Sequence, residues 1–204
     1  MSKFRLPMLV LAFAPALAFA QACGSLQNSY GPFDYRTDKK KLTVVESFHF
    51  TADVEMLRHG ATGSLGSDLD YTLRAFPNHH RALNAMANLA LKSRSDKPHG
   101  ARYTVDCYFE RALRFASDDG LVRIIYGVYL SRIHRDRDAV RMFEQAKTYE
   151  PRNPNLYYNL GLTYFDLKDY ANALKNAREA YRLGSPLPGL REKLVAAGQW
   201  RETP

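Results

Sequence analysis

The residues best equipped for chemistry in this 204-residue chain are two cysteines, six histidines and a close pair of aspartates. Cys23 and Cys107 are the only thiols, and in an oxidising compartment an even count favours one intramolecular disulfide. That bond would close a loop of 84 positions, a constraint on the unfolded chain of about 4 kcal/mol. A buried, unpaired Cys107 with Cys23 free or lipidated is the competing reading. The histidines, His49, His59, His79, His80, His99 and His134, contain no His-Glu-x-x-His and no pair at i, i+4 on one helical face. Zinc therefore lacks its ligand spacing, and the expectation is surface or capping histidines with no metal and no cofactor. Asp68 and Asp70 are expected to complement the positive end of a helix rather than to act as an acid–base pair. No nucleophile elbow, phosphate-binding loop or dinucleotide fingerprint occurs either. No catalytic residue is assigned, and the chain reads as a non-enzyme.

Binding then depends on the elements that display side chains. The C-terminal half repeats with an offset of 34 residues: Gly127 with Gly161, Ala139 with Ala173, Ala146 with Ala180, and Pro151 with Ser185. One step back, the same offset places Phe109 over Phe143 and Ala112 over Ala146. Each unit holds two amphipathic runs. Residues 154–167 carry Tyr157, Leu160, Gly161 and Tyr164 on one stripe, and residues 170–183 carry Ala173, Ala177, Ala180 and Leu183. The small residues let neighbouring helices approach closely, and Gly161 removes the side chain at the crossing. A single hairpin cannot bury its own apolar face, so the units must stack.

On Tyr157-Tyr158-Asn159-Leu160-Gly161, Tyr164, Asp169-Tyr170, Ala173, Ala177 and Ala180 the chain resembles the tetratricopeptide repeat (TPR) family. Residues 30–36 and 68–80 are similar to exported bacterial TPR proteins, a likeness that carries no activity with it. The resemblance implies an all-α, TPR-like superhelix of stacked antiparallel helix pairs, the first helix of each pair lining a concave groove. One turn off the packing stripe, the groove candidates are Arg81, Asn84 and Asn88, then Ile124, Val128 and Arg132, then Tyr158, Leu162 and Phe165. That surface grades from polar and basic to apolar and aromatic, which suits an extended peptide with an acidic end. The Lys–Asn clamp by which some TPR domains hold a terminal carboxylate is not reproduced, because Ile124 and Ile125 stand where polar residues belong. A competing expectation is that Phe48 and Phe50, which need burial, cover Ile124, Val128, Leu162 and Phe165 intramolecularly.

The organisation follows. Lys3 and Arg5, an apolar run of about 15 residues and Ala18-Phe19-Ala20 make residues 1–20 a signal peptide, cleaved after Ala20 or Ala22. The run is shorter than the ~20 residues a spanning helix needs. An uncleaved anchor and a lipid on Cys23 are the alternatives. Residues 21–66 are an irregular N-terminal segment in which Leu42, Val44, Val45, Phe48 and Phe50 fit no period. Residues 67–204 are helical: a half-unit at 67–77 opened by a Ser67–Asp70 capping box, an interrupted unit at 78–117, regular units at 118–153 and 154–186, and a closing helix at 187–200. In the interrupted unit, residues 93–102 form a polar loop about six residues longer than the regular repeat allows, expected to be exposed.

Lys and Arg number 29 against 21 Asp and Glu, a formal charge of +8. Loss of the signal peptide leaves 27 against 21, or +6, and a preference for acidic ligands. Export argues against nucleic acid. The sequence thus describes an exported, periplasmic TPR scaffold for a protein or peptide partner, with no stable membrane span after cleavage. The alternative is a binder of anionic envelope polysaccharide, or an assembly factor for its export.

Overall fold

A computed structural model describes residues 23–200; the expected signal peptide and its cleavage points lie outside the described residues. These fold into ten helices and no strand: α1 Lys39–Phe48, α2 Ala52–Glu55, α3 Leu65–Ala75, α4 His80–Ser93, α5 Val105–Phe115, α6 Gly120–Arg132, α7 Asp136–Ala146, α8 Pro154–Asp166, α9 Tyr170–Arg182 and α10 Gly189–Ala196. No helix among the described residues is long and apolar enough to cross a membrane.

Short polar side chains start the helices. Thr104, Asp119, Asn153 and Asp169 each accept a backbone N–H two or three residues ahead, and Pro154 follows Asn153 at the first helical position. The start of α3 differs from the sequence expectation. Its cap is Ser64, whose hydroxyl accepts the Ser67 N–H at 3.2 Å, so Asp70 lies inside the helix and forms no capping box.

The inner helices α4, α6 and α8 end alike, on left-handed residues Arg94 (φ 52°), His134 (φ 61°) and Lys168 (φ 63°). The next N–H then reaches back to a carbonyl of the last turn: Ser95 to Ala90 at 3.1 Å, Arg135 to Leu130 at 2.9 Å, and Asp169 to Tyr164 at 2.9 Å. These marks register the units independently of side-chain pattern. They place the extra residues of the interrupted unit between Arg94 and Thr104.

Two core clusters run along the stack. In the second, Leu130, Phe143, Leu156 and Leu160 are fully buried between α6, α7 and α8. Gly127 and Gly161 mark the crossings. A Cβ on Gly127 would lie 2.7 Å from the Phe143 ring, and one on Gly161 would lie 2.6 Å from a Leu190 methyl and 3.3 Å from the Ala173 carbonyl. Leu190 belongs to α10, which covers the open face of α8 and α9. Gly161→Leu should therefore cost about 2 kcal/mol by overpacking, read as a lower urea midpoint at unchanged m-value; an unchanged midpoint would place the crossing elsewhere.

The N-terminal part departs from expectation in two ways. Residues 39–48 form a helix, α1, although only Leu42 and Val45 are buried, while Val44 and Phe48 (60% exposed) face outward. Phe50 does find burial, but with Val54 against α3 and α4, under the Arg81 guanidinium. The N-terminal segment therefore closes the first end of the stack, and the expected cover over Ile124, Val128, Leu162 and Phe165 is not formed by Phe48 or Phe50.

Before α1, residues 23–36 form a strap. Cys23 and Cys107 are joined in a disulfide, with Cα atoms 5.2 Å apart. Arg111, fully buried under the Tyr103 ring, donates to the carbonyls of Cys23 (3.0 Å) and Ser25 (2.6 Å), and Arg114 donates to that of Gly24 (2.6 Å). Farther along, Phe33 N–H bonds the Ala75 carbonyl at 2.9 Å and Tyr35 N–H the Asn78 side chain at 2.9 Å. With its sulfur in the disulfide, Cys23 has no thiol left to carry a lipid, which overturns that alternative.

Candidate functional site

The groups that looked chemically active turn out to anchor loops and helix ends. Asp68, 1% exposed, accepts the N–H groups of Ala61 (2.7 Å) and Thr62 (3.1 Å) and the Thr62 hydroxyl, and faces His49 Nδ1 at 3.1 Å. Burial opposes its charge, yet the hydrogen bonds from Thr62 and His49 hold its pKa below the usual carboxylate value. Asp70 serves a different set: the Tyr108 hydroxyl at 2.6 Å and Arg74 Nε at 2.8 Å. Burial, then Asp70, pushes the Tyr108 pKa upward. Both aspartates are buried hydrogen-bond acceptors, which corrects the expectation that they merely complement the helix end.

His79 caps α4, its Nδ1 accepting the Ala82 N–H at 3.2 Å, but it is wholly buried between the Tyr35 ring, stacked at 4.1 Å, and the edge-on Phe50 ring at 4.7 Å. It is a capping histidine and not a surface one. His80 Nε2 lies 2.9 Å from both oxygens of Asp119, the α6 cap, and Asn78 donates to both Asp34 (2.8 Å) and Asp119 (3.0 Å). Burial opposes ionisation of Asp119, and the bonds from His80 and Asn78 outweigh it and lower the pKa. Among the described residues no three His, Cys, Asp or Glu side chains converge as metal ligands.

The expected groove residues separate into three groups. Arg81 is ion-paired with Glu55 of α2 and with Glu46 of α1 (3.4 Å), so the N-terminal helices engage it. Ile124 is 7% exposed inside the second core, which corrects its assignment as a ligand contact. Tyr158 and Phe165 pack half-buried beside α10; Phe165 meets the Tyr170 ring at 5.4 Å with Lys193 Nζ 5.2 Å above its face.

Val128, Arg132 and Leu162 converge. They line a cleft of about 240 Å³ between α6, α8 and α10, together with Phe143, Asn159, Asp166 and Lys193. Arg132 Nη1 donates to Asn88 Oδ1 at 2.6 Å, which carries the lining toward α4, where Asn84 is exposed. Lys193 stands 3.9 Å from Asp166 at the rim. The cleft thus has an apolar floor, the Asn159 amide and the Ser131 and Thr163 hydroxyls at its sides, a Lys193–Asp166 pair at its rim, and Arg132, whose partner Asn88 is neutral. Asn159 lies one residue off the stripe used to choose candidates, and Lys193 comes from the closing helix, which shares no repeat position. That is why sequence spacing missed both.

Antiparallel helix pairs stacked side by side, with a cleft on the inner helices, make this an all-α, TPR-like superhelix. Among solved structures it is similar to that of Pseudomonas aeruginosa PilF, at 19% identity and a TM-score of 0.55 over 78% of this chain and 68% of that one. It is also similar to MamA of MSR-1, at 13% identity and a TM-score of 0.48 over 74% and 80%. The likeness to PilF concerns the fold alone. No family model matches the sequence, and no curated protein matches it.

Proposed function

We propose that the chain is an exported, non-catalytic scaffold that holds an extended segment of a protein partner in the cleft formed by Val128, Arg132 and Leu162. The observation that carries this reading is the cleft itself: an apolar floor provided by Val128 and Leu162, flanked by Asn159 and Asn88, which suit a peptide backbone. Part of the charge on this face is paired, Lys193 facing Asp166 and Arg81 bonded to Glu55 and Glu46, while Arg132 bonds the neutral Asn88 and keeps its positive charge. The apolar floor, more than the charge, favours a peptide over an anionic polysaccharide. The disulfide is consistent with export.

The test is photo-crosslinking in envelope extract, with benzoylphenylalanine at Leu162 and, as control, at Lys175, exposed on α9. The Leu162 probe should trap a discrete protein adduct that survives a high-salt wash and is absent from the control. Contacts led by apolar burial persist in salt, whereas polymer binding by charge is screened. A carbohydrate adduct, or one abolished by salt, would replace this reading with the polysaccharide one.

A further inference from the structure

The outward face of α1 serves neither the cleft nor the stack. Leu42 and Val45 fix one side of this helix in the N-terminal core, with Ala75 and Phe76. Lys40, Val44 and Phe48 follow one another at steps of four, so they form a stripe on the side turned away. Val44 is 48% exposed and Phe48 60%, the latter the most exposed large apolar side chain among the described residues. Two neighbouring apolar groups are thus left in water by a helix that the rest of the fold holds in place.

The charges at the start of the helix are of one sign. Lys39, Lys40 and Lys41 are all exposed. Lys39 donates to the Tyr35 carbonyl, and Lys41 stands 5.9 Å above the Phe33 ring, so both keep their charge. Lys40 has no partner among the described residues. With Thr37 and Asp38 the three lysines line an open depression of about 390 Å³, three positive charges against one negative. The Asp38 carboxylate is already engaged by the Asp34 N–H at 2.8 Å. Glu46 turns away toward Arg81, at 3.4 Å, and answers none of the lysines.

We propose that α1 docks the protein on the surface of an anionic bilayer, with Val44 and Phe48 entering the boundary between headgroups and acyl chains and Lys40 and Lys41 reaching lipid phosphates. An anionic lipid surface offers both complements at once, negative charge at the level of the lysines and apolar depth beside it. A peptide needs a concave floor, and this stripe stands on the outer side of a single helix. A second copy would bring the lysines of both chains into one small interface with no carboxylate on the stripe to answer them. An anionic polysaccharide would meet the lysines but leave Val44 and Phe48 in water. The surface is separate from the Val128–Leu162 cleft and does not depend on it.

Co-sedimentation of the mature protein with vesicles tests this, using phosphatidylcholine alone and phosphatidylcholine mixed with phosphatidylglycerol, at low salt. The protein should sediment with the anionic vesicles and not with the neutral ones. The double variant Val44→Ser/Phe48→Ser, at exposed positions, should weaken binding about tenfold with unchanged helical circular dichroism. Lys40→Gln/Lys41→Gln should weaken it about as much, roughly tenfold. Arg137→Gln/Arg152→Gln removes the same charge from exposed positions elsewhere and should leave binding unchanged. Fluorescence of Phe48→Trp should move to the blue with anionic vesicles, against the baseline set by Trp200. The proposal is overturned if the protein ignores anionic vesicles, or if the two arginines matter as much as the two lysines. It is also overturned if serine at 44 and 48 changes nothing, which would leave charge alone, as for a polysaccharide. Lipid-free dimers abolished by the serine variant would give the face to a second copy and overturn it equally.

Discussion

Replacing Cys23 and Cys107 together by serine should lower the unfolding free energy by about 4 kcal/mol, the chain-entropy value for a loop this long. The bond spans 84 positions and so restrains the unfolded chain from the first described residue to the fifth helix. Its loss also changes what holds the strap. The carbonyls of residues 23–25 would then be held by Arg111 and Arg114 alone, and Arg111 is a buried cation whose hydration those carbonyls replace. The strap should therefore detach before the repeats unfold. Hydrogen exchange in the double variant should rise first at residues 23–36 and at α5, with α8 and α9 still protected. Urea titration of the native chain with and without reductant gives the same comparison without mutation. Equal midpoints in the oxidised and reduced chains would show that the strap adds nothing to global stability.

The stacked part of this molecule could be read from spacing because its information is local. Gly127 and Gly161 are glycine because Phe143 and Leu190 occupy the space a side chain would need. The small residues Ala139, Ala173 and Ala177 are all fully buried. The polar run with Pro98 and Gly100 announced the longer connection in the interrupted unit. The helix α1 had no such signal. A helix that buries two residues and exposes Val44 and Phe48 mixes polar and apolar types on one face, so its sequence has no clear period.

The polar core was illegible for another reason: its partners are far apart in the chain. Asp70 looks like a helix-end carboxylate until Tyr108, 38 residues away, is seen to bond it. Asn78, after Pro77, looks like a helix start until Asp34 and Asp119 close on it from opposite directions, at separations of 44 and 41. The groove assignments were half legible for a related reason. Helical spacing says which side chains share the inner face, and it puts Val128, Arg132 and Leu162 there, where they line one cleft. It does not say which neighbouring element arrives to cover that face, and so it missed the engagement of Arg81 by Glu46 and Glu55 and the entry of Lys193 from α10.

Stability should fall from pH 6.5 to 4.5 by about 2–3 kcal/mol through His79 alone, at most ~1.4 kcal/mol per pH unit for one proton. Burial, followed by the charges of Arg81, His80 and Lys39, lowers its pKa from 6.5 to about 3. Glu46 Oε1 stands 3.3 Å from Nε2 without a hydrogen bond between them, and burial remains the dominant influence on the ring. Tyr35, Phe50 and Phe76 surround the rest of the ring with aromatic faces and edges. Between the two pKa values the unfolded chain binds the proton and the folded chain does not, so acidification favours unfolding across that window. Below the ordinary aspartate value of 3.8, Asp34, Asp68 and Asp119 add to the loss, because each is held ionised in the fold and must take up a proton. His79→Asn separates the two effects: its amide oxygen can still cap α4, but it has no proton to gain. Urea denaturation from pH 7 to 4.5 should show the variant weaker at pH 7 yet losing less stability on acidification, with the curves converging by the slope of one proton. Parallel curves would mean that His79 already accepts its proton inside the fold, and that the strap leaves room for a charge beneath Tyr35.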